Sequence, residues 1–195
     1  MKQIILIHGG DSFNTYEEYL DSLKNWKVAK KYFQPHYDWK DRFEDKLGKD
    51  FELLQPRMPN KQNAKYAEWK IWFEKMFPFL EDEVILIGHS LGGMFLAKYL
   101  AENKFPKKIQ QLHLVSAPHN QAADIGDFEL PNDLSKIEEQ AEKIYLYHSK
   151  DDEVVPISEL DVFKKALPKA EALTFEDRGH FKQPEFPELV ALITK

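Results

Sequence analysis

The sequence predicts an α/β fold built on a parallel sheet, and three observations carry that reading. Six short apolar runs recur, at 3–7, 51–54, 83–87, 111–115, 143–147 and 170–175. Most are continuous rather than alternating, the pattern of strands covered by helices on both faces. The segments between them are long enough, and helical enough in their periodicity, to be crossover connections.

Each element has its own justification. After the first run, Thr15 and Glu18 have the spacing of a capping box, so a helix starts there. Tyr16, Leu20, Leu23 and Lys27 follow at helical spacing, widened by Tyr19 and Trp26, and this face is expected to pack on the sheet. The second connection places Tyr66, Trp69, Trp72 or Phe73, Met76 and Leu80 on one face, closed by Pro78 and the acids at 81–83. Further helices are expected over 90–103, 135–142, 158–167 and 184–193. The stretch 117–131 has Pro118, Gly126 and Pro131 and little periodicity, which suits a loop over one end of the sheet. No repeat, low-complexity tract or flexible linker divides the chain, so residues 1–195 read as a single domain.

Composition narrows the function. With 27 Lys and Arg against 33 Asp and Glu, the net charge of −6 offers no basic surface for a phosphate backbone, and nucleic acid is not an expected partner. Cysteine is absent, which removes thiolate nucleophiles, disulfides and Cys-ligated metals. The opening MKQIILIHGG carries too short an apolar run for a secretory leader, and no run approaches a membrane span. The protein is read as cytoplasmic, with no membrane partner.

The chemistry is concentrated in 84–93, VILIGHSLGG, where a strand runs into G-x-S-x-G and then a helix. Ser90 at a sharp strand-to-helix turn is lifted above the sheet as a nucleophile, and Gly88 and Gly92 keep its neighbours small. The following helix aims its N-terminus at the site, so the Leu91 N–H can donate to a developing oxyanion. The competing reading is a tight turn in which Ser90 merely caps the helix. A serine hydroxyl needs a base, and the base an orienting carboxylate, both at the ends of later strands. Asp151 and Asp152 follow the fifth strand and His180 the sixth, giving the chain order Ser, Asp, His. Asp124 and Asp127 are weaker alternatives for the acid, and Asp177 is too near His180 in sequence to orient it. Neither G-x-G-x-x-G nor a P-loop follows Gly9 and Gly10, and His36, His113 and His119 form no ligand spacing, so neither cofactor nor metal is expected.

These residues resemble the α/β-hydrolase superfamily, and within it the small, nearly capless serine hydrolases of the retinoblastoma-binding-protein 9 type and their bacterial relatives. The likeness runs through Leu6–Gly10, the helix at 69–73, the elbow at 88–93, residues 114–117, Asp152–Pro156 and Gly179–Phe181. It implies a three-layer sandwich without a large cap, and six parallel strands in the order 2-1-3-4-5-6. It maps the acid to Asp152, four residues before Pro156, leaving Asp151 to solvent, and the base to His180. It also implies that His8 and Gly9 support the site with the N–H of Gly10 or Asp11 completing the oxyanion hole, while His89 flanks the nucleophile and His148 hydrogen-bonds within the acid loop. The implied activity is a serine hydrolase (carboxylesterase-like) cleaving a small ester, thioester or amide through an acyl-enzyme. A protein-interaction module on the same fold is the rival. The chain has no residues to spare for a lid domain, so compact acyl groups are the expected substrates, walled by the aromatic first connection (Phe13, Tyr16, Tyr19, Trp26, Tyr32, Phe33, Tyr37, Trp39 and Phe43).

Overall fold

The computed structural model describes residues 1–120, 122 and 125–195, with all their side chains but that of Lys31. Six parallel strands, β1 (Lys2–Ile7), β2 (Phe51–Leu54), β3 (Glu83–His89), β4 (Lys108–Val115), β5 (Ala141–Ser149) and β6 (Glu171–Phe175), form one sheet in the order β2-β1-β3-β4-β5-β6. Among the described residues seven α-helices connect or follow them: α1 (Tyr16–Asn25), α2 (Phe43–Lys46), α3 (Tyr66–Glu74), α4 (Leu91–Glu102), α5 (Ser135–Gln140), α6 (Ser158–Ala166) and α7 (Pro187–Ile193).

The continuous apolar runs divide by parity between two cores. Ile5, Ile7, Leu86, Leu112, Leu114 and Leu146 face α3, α4, α5 and α6, with Trp69, Phe73 and Phe95 fully buried among them. Ile4, Leu6, Ile85, Ile87, Tyr145 and Tyr147 face the other way, onto Trp39, Phe43, Phe186, Leu189 and Ile193. Of the two candidates on α3, Phe73 is the core residue, since Trp72 stays 43% exposed. Helix α4 follows the central strand and is buried nearly all round, with ten of its residues inaccessible. A helix in that position needs no polar face.

Three elements depart from the sequence reading. The helix expected over 135–142 stops at Gln140, because Ala141 is drawn into β5 by its pairing with Ile109. The last helix begins at Pro187 rather than 184; a proline disfavours helical geometry in the residue before it, and Phe186 adopts φ −137 and ψ 72. Helix α1 forms with the expected capping box, Glu18 N–H donating to Thr15 Oγ1 at 3.1 Å, yet none of its residues is buried. Its expected place on the sheet is already taken. One face of β1 is covered by α3 and the other by Trp39 and Phe43 from the same connection.

Candidate active site

The elbow is built by close approach. A Cβ on Gly88 would sit 2.5 Å from the Gly92 carbonyl oxygen, and one on Gly92 would sit 2.4 Å from that of Ile7. Neither position tolerates a side chain, so the strand can turn sharply against the helix that follows. Ser90 pays for the turn with φ 55 and ψ −128, a region that costs a residue with a side chain about 1–3 kcal/mol. Its backbone is pinned, the N–H donating to Val115 O at 2.8 Å while its carbonyl accepts from Gly93 N–H at 2.8 Å. The Ser90 side chain makes no capping hydrogen bond to α4. The turn therefore presents the hydroxyl rather than using it to end the helix.

The structure brings Asp152 and His180 together. His180 Nδ1 lies 2.9 Å from Asp152 Oδ2 and 3.2 Å from Oδ1. A carboxylate only accepts, so Nδ1 carries the proton and Nε2 is left with its lone pair. Asp152 also accepts from the N–H groups of Val154 and Val155, at 2.8 and 2.9 Å, and from the Ser116 hydroxyl. Burial works to raise its pKa, but His180, Ser116 and Val155 outweigh it and hold the carboxyl below its ordinary value. The sequence assigns Ser116 no role of its own; it follows β4 at φ 46, directly beside the elbow strand, and lies 3.1 Å from His180 Nδ1.

The other acids do different work. Asp151 is exposed but is not left to solvent: its Oδ1 accepts from Ser149 Oγ at 2.5 Å and from Gly179 N–H at 2.8 Å, strapping the acid loop to the loop that bears His180. These bonds hold its pKa down. Asp127 caps α3 by accepting from Tyr66 N–H at 3.0 Å, and Asp124 lies outside the described residues.

The flanking histidines are neutral clamps. Met58 N–H donates to His8 Nε2 at 2.9 Å, so Nδ1 holds the proton and donates to Gly9 O at 2.7 Å. Desolvation is the main cause lowering the His8 pKa. This bond turns the Gly9 carbonyl toward His8, and a trans peptide then points the Gly10 N–H the opposite way. Of the two candidate donors in this loop, the Asp11 N–H is engaged by Lys61 O at 2.8 Å. Gly10 is packed so tightly that a Cβ would fall 2.3 Å from that same Lys61 oxygen. His89 donates from Nε2 to His180 O at 3.0 Å, and burial pushes its pKa well below the ordinary value. Trp39 Nε1 donates to the next carbonyl, Phe181 O, at 2.9 Å. Consecutive carbonyls of the His180 loop are thus held from the elbow and from the first connection. Phe181, at φ 50, needs such restraint.

His148 corrects one expectation. It is wholly buried near Asp152 and His180, but neither ring nitrogen has a well-formed hydrogen bond, and burial lowers its pKa to about 4. Among the described residues no cluster of three His, Asp or Glu is placed to hold a metal ion. Ser90 opens into a cavity of about 140 Å³ whose walls include Gly10, Asp11, Leu91, Val154 and Val155.

A six-stranded parallel sheet with a serine elbow after β3 and no cap domain defines an α/β hydrolase. The Serine hydrolase family pattern matches residues 34–186, and the chain belongs to that family. It is 30% identical over 157 residues to rat serine hydrolase RBBP9, an alignment covering 73% of this chain and 76% of the relative. The fold is shared with the ydeN gene product of Bacillus subtilis, at TM-score 0.73 and 21% identity over 100% of this chain and 97% of that one. It is also shared with a meta-cleavage product hydrolase from Pseudomonas fluorescens, at TM-score 0.66 and 13% identity over 99% and 89%. The protein is accordingly a hydrolase. Among the described residues no helix is long and apolar enough to cross a membrane.

Proposed function

We propose that this hydrolase cleaves a small ester, thioester or amide through an acyl-enzyme, with Ser90 as nucleophile, His180 as base and Asp152 as the group that orients it. The observation that carries the reading is the Asp152–His180 bond of 2.9 Å, which fixes the tautomer whose Nε2 can accept a proton. Ser90 Oγ attacks the carbonyl carbon and its proton passes to His180 Nε2. The N–H groups of Leu91 and Gly10 receive the oxyanion, Leu91 at the N-terminus of a 12-residue helix whose first N–H groups lack intrahelical partners. Collapse breaks the bond to the leaving group, which takes the proton from His180. Water then repeats the cycle on the acyl-enzyme, releasing the acid and restoring Ser90. No step in this sequence calls for a cofactor or metal.

A fluorophosphonate probe tests the assignment. Labelling of the wild type and none of Ser90→Ala, with p-nitrophenyl ester turnover lost in the same variant, is the expected result. Labelling that persists in the variant refutes Ser90. An unlabelled wild type with intact fold points instead to an interaction module on a hydrolase scaffold.

A further inference from the structure

Helix α1 presents an anomaly. It carries an apolar face and a capping box, yet buries nothing: Leu23 is 43% and Trp26 52% exposed. That face is not empty surface. Together with Phe13 and Tyr19 it walls a cleft of about 230 Å³ whose other walls are Asp11, Ser22 and Gln62. Asp11 is also a wall of the Ser90 cavity, so the cleft and the cavity share that residue. The cleft's root is rigid. Ser12, buried, donates from Oγ to Ala64 O at 2.8 Å, Asp11 O accepts from Ala64 N–H at 2.8 Å, and the Phe13 and Tyr19 rings pack 5.7 Å apart.

Resting on the Ser90 reading, we propose that the cleft beneath α1 is the acyl-arm subsite, taking an apolar acyl group, medium-chain alkyl or aryl-alkyl, that extends from Ser90 past Asp11. The sheet order decides which arm it receives. Gly10 and Asp11 follow β1, whereas Asp152 and His180 follow β5 and β6, and β3 with Ser90 lies between them. The leaving atom must meet His180 to take its proton, so the leaving group lies on the β5 side, which leaves the β1 side, past the oxyanion at Gly10, to the acyl group. The walls match the ligand: Phe13, Tyr19, Leu23 and Trp26 supply apolar surface, with Trp26 and Leu23 half in water until something covers them. At about 230 Å³ the cleft has room for a hexyl or phenyl arm. The shortness of the chain alone favours compact acyl groups. The unburied helix extends the site beyond them.

Two ester series test the subsite. With p-nitrophenol as the constant leaving group, kcat/KM is expected to rise from butyrate to octanoate by about two- to fourfold per methylene, measured below micellar concentrations. With acetate as the constant acyl group, alcohols from methanol to hexanol should give a flat series. Trp26→Ala and Leu23→Ala, both at exposed positions, should each lower the octanoate-to-acetate ratio by at least fivefold. A flat or falling acyl series in the wild type overturns the proposal. A rise confined to the alcohol series overturns it too, by putting the arm on the leaving-group side, as does an octanoate-to-acetate ratio that neither substitution changes. Fluorophosphonate labelling of Ser90, run in parallel, separates failure of this subsite from failure of the nucleophile assignment.

Discussion

Mild acid should destabilise this protein well before its carboxylates are protonated, because the folded state holds several histidines neutral. His113 is fully buried; its Nδ1 is 2.7 Å from the Tyr147 hydroxyl and its Nε2 2.8 Å from Gln111 Oε1, and burial lowers its pKa to about 3. Burial lowers His148 to about 4 and His89 well below the ordinary value. In the unfolded chain each titrates near 6.5. A folded pKa below the unfolded one contributes stability that is full above about pH 6.5 and is lost as pH falls toward the folded value. Between pH 7.5 and 5.5 the loss is about 1.3 kcal/mol for each of His113 and His148, about 2.6 kcal/mol together, and His89, His8 and His119, each lowered by burial, add to it in the same direction. Glu159, whose carboxyl burial pushes up, opposes this by binding a proton more readily when folded. The stability from Asp152 is lost only below about pH 4, outside the window. A total stability of about 5–15 kcal/mol would be cut by a large fraction. In equilibrium urea unfolding, with m of about 2 kcal/mol/M, the midpoint should fall by at least about 1.3 M between the two pH values. His113→Gln, which cannot titrate, should shrink that fall by about 0.6 M. A midpoint that moves less than about 0.5 M, or a His113→Gln variant as pH-sensitive as the wild type, refutes the argument.

Two other substitutions separate neighbouring roles. Asp152→Asn favours the wrong His180 tautomer and should lower kcat by about four orders of magnitude, whereas Asp151→Asn retains an acceptor for Ser149 and Gly179 and should cost less than tenfold; ester kinetics on both variants decide, and reversed effects move the acid to Asp151. Trp39→Phe keeps the ring in the second core but leaves the Phe181 carbonyl without its donor, so urea unfolding should show a loss of about 1–3 kcal/mol, with kcat falling as the His180 loop loosens; unchanged stability and turnover would show that the bond restrains nothing.

Much of the site was readable because its chemistry sits at strand ends. A parallel sheet delivers successive loops to one edge, so a G-x-S-x-G after the third apolar run, an aspartate after the fifth and a histidine after the sixth converge wherever the runs are strands. The choice between Asp151 and Asp152 needed the resemblance to D-x-x-V-P; in the structure one carboxylate turns inward to His180 and its neighbour turns outward to Gly179. Ser116 lies in the 114–117 stretch that carries the resemblance, but its role could not be read there. A lone serine after an apolar run has no pattern of its own, and its contact with Asp152 arises only because β4 lies between β3 and β5.

The first connection was the least legible part, and the cause is competition for one surface. Period and capping predict a helix from Tyr16 correctly, but an apolar stripe records only that a face is apolar, not what covers it. Two elements with stronger claims reach β1 first. Trp39 and Phe43 bring large rings, and Trp39 adds two hydrogen bonds to the His180 loop, from its side chain to Phe181 O and from its backbone N–H to Gln183 O at 2.7 Å. Helix α3 brings Trp69, anchored by its Nε1 to Pro59 O at 2.7 Å. With both faces of β1 closed, the stripe of α1 is displaced toward the mouth of the site. The residues of this connection therefore divide by task. Those from Trp39 to Phe43 tie the sheet to the His180 loop, while those from Phe13 to Trp26 line the cleft proposed as the acyl subsite.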